Sequence, residues 1–271
     1  MVAEPRSVEA RFGLSNCRPR GGESHCDIQL GKWALQPNGE VQLGALAIAA
    51  DHVVGEVSFI RRPLDTWSLT SELSIDFVAP IAPDARIHAW ATPTRIERSG
   101  GFAQGQMIDE TGQVVAFCST RTLQVPSTPI APAATRLADI IPANWIPAVG
   151  LEEHLELDCA KSDSDEFVVR MSDPSRWQND FGMLHGGVWA CLNEVAASRI
   201  IARVRPELTT AGLRTAYLRP GMADAPLTVT ARLRHAGSRL AVAECTGRSE
   251  DGTICTLSTV TARRVADLAA D

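Results

Sequence analysis

Residues 69–116 are echoed 140 positions later in the same chain. Leu69-Thr70 falls on Thr209-Thr210, Leu73 on Leu213, and Phe77-Val78-Ala79-Pro80 on Tyr217-Leu218-Arg219-Pro220. Gly112 then falls on Gly252, with Val114 on Ile254 and Ala116 on Thr256. A shared turn glycine followed by alternating strand residues predicts hairpins in corresponding places. A repeat of this period excludes one irregular domain and predicts two copies of a single supersecondary unit. We place the copies at 20–125 and 148–265, joined by 126–147. The joining stretch carries Pro126, Pro129, Pro132, Pro142 and Pro147, a density no helix or central strand sustains. Trp145 and Ile140-Ile141 are apolar enough that part of it is expected to pack on the body.

Each copy reads as one helix followed by a run of strands. In the second copy the helix is predicted from Gly186 to about Val204, with Val188, Cys191, Leu192 and Val195 at helical spacing. Its counterpart is Leu43 to Val54. Strands are predicted at 70–78, 86–95, 101–108 and 114–123, and at 214–218, 227–234, 240–247 and 253–263. A helix followed by an antiparallel meander is an α+β unit, the helix wrapped by a curved sheet.

Composition narrows the function. The 271 residues carry a formal charge of −6, against a nucleic-acid partner that needs a basic face. No apolar run reaches the roughly 18 residues of a membrane span, and residues 1–27 lack a signal-peptide core, so a cytoplasmic location is expected. The seven cysteines include no Cys-x-x-Cys pair and read as small core residues. His25, His52, His88, His154 and His235 show no ligand spacing, and neither metal nor cofactor is expected.

The chemistry concentrates in Asn179-Asp180-Phe181-Gly182-Met183-Leu184-His185-Gly186-Gly187, with Glu194 on the helix that follows. Glycines without Cβ let backbone approach a ligand, and the first helical turn leaves N–H groups and a dipole that favour negative charge. A carbonyl oxygen turning anionic is stabilised there. Glu194 stands about 12 Å further along the axis at the helical rise of ~1.5 Å per residue, too far to serve its own N-terminus. A second helix must supply the missing half. Aligning the two helices puts Asp51 opposite Glu194, Gly44 opposite Gly187, Leu43 opposite Gly186 and Gln42 opposite His185. One prospective site therefore joins Asn179, His185 and Gly186 with Asp51. The other joins Glu194 with Gln42-Leu43-Gly44. The first has the complete oxyanion-binding half and is favoured. Asp51 also sits in a long apolar run, where an unpartnered charge is expensive.

The pattern Asn-x-x-Gly-x-Leu-His-Gly-Gly-Val, with an acid nine residues after the histidine, resembles the signature of hot-dog-fold acyl-CoA thioesterases of the phenylacetate-pathway and 4-hydroxybenzoyl-CoA type. Leu213 to Gly221 resembles the strand after the helix in that family, and the resemblance covers about 145–265. It implies two tandem hot-dog units packed as an intrachain pseudo-dimer that hydrolyses an acyl- or aryl-CoA. The Gly186 N–H, aided by Asn179, would polarise the carbonyl. Asp51, or Glu194 in the other site, would activate water or attack directly to give an anhydride. Thr210 matches the hydroxyl relatives carry near the nucleophilic water. Arg214, Arg219 and Arg239 match groups suited to coenzyme A phosphates. His185 is alternatively a brace of the turn, Asn179 a turn residue, and Trp189 and Phe181 core rather than pocket wall. The small residues Ala45, Ala47, Ala49, Ala196 and Ala197 are read as room for a medium acyl chain or an aromatic acid, and further association into a homo-oligomer is left open.

Two other functions compete. A hot-dog module that binds acyl-CoA without turning it over is suggested by the poorer Gln42-Leu43-Gly44 turn. A hydratase would use Asp51 with His52, but adjacent helical residues point about 100° apart and do not converge.

Overall fold

A computed structural model describes residues 7–126, 149–161 and 165–264. All but Pro126 of the predicted joining stretch lies outside these residues. Short helix α1 (Val8–Arg11) precedes strands β1 (Leu14–Arg20) and β2 (Glu23–Gln29). Helix α2 (Ala47–Phe59) is entered through a 3₁₀ turn over Leu43–Leu46 and leads into β3 (Thr66–Phe77), β4 (Arg86–Glu97), β5 (Gly100–Ile108) and β6 (Val114–Pro126). The second half runs α3 (Leu151–His154), β7 (Leu157–Lys161), β8 (Glu166–Met171), α4 (Gly186–Ala202), β9 (Leu208–Tyr217), β10 (Leu227–Ala236), β11 (Leu240–Ser249) and β12 (Ile254–Arg264).

The strands form one antiparallel sheet of 12 in the order β1-β2-β4-β5-β6-β3-β9-β12-β11-β10-β8-β7. Counted outward from the β3–β9 junction, both halves follow the same order. Ser74 pairs with Arg214 at that junction. These two are also partners in the sequence repeat, so the pseudo-two-fold axis passes between them. Within each half the strands follow a two-residue period: Ile87, Ala89 and Ala91 of β4, and Leu227, Val229 and Ala231 of β10, face the core. Helix α2 touches β2 through β6, and α4 touches β8 through β12, which requires the sheet to curve around each helix. Both helices are apolar nearly all round, as buried helices are.

The α+β reading with two tandem hot-dog units holds, each a helix wrapped by antiparallel sheet. The predicted strands are present with most ends shifted by a few residues, except that β9 begins at Leu208 rather than Arg214. Four were not predicted: β1, β2, β7 and β8. β1 ends at Arg20 and β7 carries Asp158 and Lys161, and both stand at the sheet's edges with mostly exposed residues, so neither advertises an apolar face. β2 and β8 do alternate, burying Ser24, Cys26 and Ile28, and Phe167, Val169 and Met171. The small residues read as acyl room do other work: Ala45, Ala47, Ala49, Ala196 and Ala197 are fully buried and pack the helices.

The two helices cross closely. A Cβ on Gly187 would lie 2.7 Å from the Ile48 Cα and 2.8 Å from the Ala47 carbonyl oxygen, both backbone atoms that cannot step aside. Gly187→Ala is expected to destabilise the protein by about 2–3 kcal/mol through overpacking. Gly55 on α2 meets only the Thr70 Oγ1, at 3.9 Å. Gly55→Ala is expected to stabilise by up to ~1 kcal/mol, because alanine restricts the unfolded chain and favours helix. Urea unfolding of the two variants beside wild type checks both signs. No helix among the described residues is long and apolar enough to cross a membrane.

Candidate active site

The helix crossing places each helix's acid on the other helix's first turn. Asp51 of α2 accepts the Gly187 N–H at 2.8 Å through Oδ2, and Glu194 of α4 accepts the Gly44 N–H at 2.9 Å through Oε2. Each acid is also held by a threonine from the next strand. Thr70 Oγ1 donates to Asp51 Oδ1 at 3.1 Å, and Thr210 Oγ1 donates to Glu194 Oε1 at 2.6 Å. The sheet is bulged beside both threonines. Ser71 is the extra residue between Thr70 and Glu72 in the β3–β6 ladder, and Ala211 is the extra residue between Thr210 and Gly212 in the β12–β9 ladder. Such a bulge re-aims the neighbouring side chain.

The two acids then part company. Asp51 opens on a cleft of about 300 Å³ lined by Thr70, Asn179, His185, Gly186, Trp189 and Tyr217, among others. The Gly186 N–H, the first of α4, has no partner among the described residues, and Gly186 lies against the carboxylate: a Cβ there would come within 2.7 Å of Asp51 Oδ2. His185 caps the helix, its Nδ1 accepting the Gly187 N–H at 3.1 Å. Tyr217 donates its hydroxyl to the Gly186 carbonyl at 2.8 Å. Burial, and then the charge of Asp51, push the Tyr217 phenol well above its ordinary range, so it remains a donor. Asn179 Oδ1 accepts the backbone N–H groups of Phe181 and Met183 at 2.9 and 3.2 Å, an Asx turn that shapes the loop and leaves the amide NH₂ for a ligand.

Glu194 is sealed. It is 1% exposed, and Gln42 donates its side-chain amide both to it and, at 2.8 Å, to Ser198 Oγ. The void beside it is about 20 Å³, space for one water. Leu43 stands where the other site has Gly186. A separate pocket of about 210 Å³, walled by Val41, Leu43, Phe77 and Ile81, reaches Thr210 but not the acid.

The predicted residues therefore fall into two groups: Asp51, Asn179, His185 and Gly186 around the open cleft, and Glu194 with Thr210 in the sealed half. Of the arginines, Arg219 stands at the open cleft's mouth. Arg214 is exposed on the sheet, paired with Asp76 at 2.8 Å, and Arg239 is exposed on the β10–β11 turn; neither lines the cleft. Phe181 lines the cleft with its ring edge-on to Trp67, and Trp189 lies under Gly221 and Gly247, where a Cβ would strike its indole. Asp51 and His52 do diverge: His52 points to Glu9. Thr70 and Tyr217 were not singled out from the sequence. The repeat had already set Thr70 on Thr210 and carried the signal for the first; a tyrosine reaching a helix carbonyl left none. Among the described residues no group of His, Cys, Asp and Glu is placed to hold a metal.

Burial pushes the Glu194 carboxyl up, and its bonds from Thr210, Gln42 and Gly44 only partly reverse that. An acid that holds its proton more tightly folded than unfolded costs stability as pH climbs from the ordinary carboxylate range through the raised folded value. Glu194→Gln is expected to remove that fall, so the variant's stability relative to wild type improves across the window. Guanidinium unfolding of both proteins as a function of pH measures the difference; equal slopes would refute it.

The sequence profile of the thioesterase superfamily matches residues 41–116 and 181–256. No functionally curated protein matches the sequence. Among solved structures, the tesB protein of Mycobacterium avium subspecies paratuberculosis superposes with a TM-score of 0.68 at 12% identity, covering 95% of this chain and 98% of that one. Acyl-CoA thioesterase II TesB2 of Mycobacterium marinum gives 0.65 at 12% identity with the same coverage. A putative oleoyl thioesterase of Lactobacillus plantarum gives 0.62 at 10% identity, over 94% and 98%. These likenesses establish the fold.

Proposed function

The chain belongs to the thioesterase superfamily, and from that premise we propose that it hydrolyses acyl-CoA thioesters at the Asp51 cleft, releasing the free acid and coenzyme A. The observation that carries this reading is the pairing of an acid with an unused donor: Asp51 is fixed by the Gly187 N–H at 2.8 Å while the Gly186 N–H beside it, first on α4, has no partner among the described residues. A carbonyl oxygen received by that N–H gains stabilisation as it becomes anionic, aided by the helix dipole and by the Asn179 amide.

The carboxylate then acts on the carbonyl carbon. In one route it takes a proton from a water whose oxygen attacks, the C–S bond breaks, and the departing thiolate takes up that proton; in the other Oδ1 or Oδ2 attacks, the C–S bond breaks, the thiolate takes up a proton, and water hydrolyses the resulting anhydride. Thr70 and Gly187 hold both carboxylate oxygens in either route, which supports a fixed attack direction. Glu194 has neither a cleft nor a free donor, so one reactive site per chain is the reading. Arg219 at the mouth suits a phosphate of the coenzyme. Trp189, Phe181 and Tyr217 around the cleft suit an aryl or medium acyl group, in keeping with the phenylacetate-pathway and 4-hydroxybenzoyl-CoA type that the motif resembles.

A panel of acyl- and aryl-CoA esters, followed by thiol release, tests the proposal. Wild type is expected to turn over at least one class, Asp51→Ala to lose about 10²–10⁴-fold in kcat/KM, and Glu194→Gln to stay near wild type. A wild type that binds the panel without turnover makes the protein a binding module, and activity lost with Glu194 rather than Asp51 reverses the assignment of the site.

A further inference from the structure

The reactive loop is not the only structure that meets His185. Helix α1 precedes both segments matched by the superfamily profile, and it sets Glu9 against the same imidazole. Glu9 Oε1 stands 3.8 Å from His185 Nε2 and 3.6 Å from His52 Nδ1, and the side chain is 15% exposed. The helix is anchored beyond its length of four residues. Ser7 caps it by accepting the Ala10 N–H at 3.2 Å. Phe12, fully buried, meets the rings of Trp33, His154 and Trp177 edge-on at centroid distances of 5.3–5.6 Å. Arg11 donates to the Arg176 carbonyl, tying α1 to the loop that leads to His185. Glu9 is thus placed by packing and not by chance contact of a surface side chain.

The other nitrogen of His185 faces the chemistry. Nδ1 is 3.1 Å from the Gly187 N, from which it accepts, and 3.5 Å from Asp51 Oδ2. With a lone pair on Nδ1, the neutral ring carries its proton on Nε2, toward Glu9. Protonating the ring converts Nδ1 from an acceptor of the Gly187 N–H into a donor aimed at Asp51. We propose that Glu9 is a positioning residue of the Asp51 site: it keeps Nε2 protonated, makes Nδ1 the nitrogen that titrates, and sets the pH at which the imidazole changes partner. The inference rests on the Asp51 cleft being the reactive one only for its consequence on turnover; the titration itself is independent of activity.

The groups around the imidazole support this assignment. His185 is faced by Glu9 from α1 and by Asp51 and His52 from α2. Burial pulls its proton affinity down, the Glu9 carboxylate beside Nε2 and the charge of Asp51 outweigh that, and His52 opposes them, leaving His185 raised. Burial likewise works against the charge of Glu9, but the two imidazoles hold its carboxyl well below the usual range. His52 is in turn faced by Glu9, by Cys17 of β1 and by Glu56, at 3.8 Å, on its own helix. Glu9 is therefore shared by the two imidazoles, and the charge of His52 opposes that of His185.

Imidazole titration by heteronuclear NMR, on the full chain, tests the proposal. In wild type the nitrogen shifts should report an Nε2–H tautomer above the midpoint. Glu9→Gln keeps the shape and removes the charge, and the His185 midpoint should fall by roughly one unit, the size of an opposite charge lost within 4–6 Å. Glu9→Asp should restore part of it. His52→Gln removes the competing cation and should raise the midpoint, which gives a second reading if Glu9→Gln does not fold. With an active thioester, the limb of the kcat/KM profile assigned to His185 should move with the midpoint while KM at the optimum holds. A His185 midpoint unmoved in Glu9→Gln, or in His52→Gln, overturns the proposal. Shifted midpoints in a protein without turnover would leave it standing while the hydrolase reading fails.

Discussion

Two carboxylates lie buried at a crossing of two apolar helices, and each accepts from an amide at the entry turn of the helix to which it does not belong. A buried charge without donors is expensive, and the first turn of a helix is a set of donors without acceptors. Crossing the helices so that Asp51 reaches the Gly187 N–H and Glu194 reaches the Gly44 N–H satisfies both at once. The contact requires backbone-to-backbone approach, which is why glycine stands at 187 against Ile48 and at 44 against the Cys191 carbonyl. The crossing in turn fixes where the sheets meet. With the helices placed tip to flank, β3 and β9 come edge to edge, and the 12 strands close into one sheet about the Ser74–Arg214 pair.

Symmetry supplies two acids, and one local difference decides which of them is open. At the first site Gly186 leaves the carboxylate uncovered, and a Cβ there would already touch it. At the second, Leu43 fills the equivalent position and Gln42 replaces His185, its amide binding both Glu194 and Ser198. The same scaffold thus makes a ligand-facing acid and a structural one. The sealed acid supports its half of the crossing, while the open one is left with a vacant amide beside it.

Much of this was legible in the chain. The repeat set the two halves, and the helical rise alone showed that Glu194 could not serve its own N-terminus, from which the exchange of acids between helices followed. The partner threonine was legible too, since the repeat put Thr70 on Thr210, yet only Thr210, the one beside the sealed acid, was singled out. The edge strands β1 and β7 were hidden because a strand exposed on most of its length shows no apolar period. Room for an acyl group was misplaced for a related reason: Ala45, Ala47 and Ala49 look like empty space in a sequence, but small side chains on a buried helix are what allow another surface to come close. A cleft is made where two surfaces fail to meet, and that is a property of the pair.

The same limit explains Glu9. A single acid in a polar N-terminal stretch carries no spacing that points to His185, which is 176 positions away along the chain. Its placement depends on Phe12 seating α1 among Trp33, His154 and Trp177, an aromatic cluster drawn from both halves. That cluster bridges the copies, so the position of Glu9 is set by residues of both. Helix α1 therefore breaks the pseudo-symmetry a second time, and at the same site: its counterpart α3 pairs Glu152 with Arg199, whereas α1 sets Glu9 against the histidine beside the open acid.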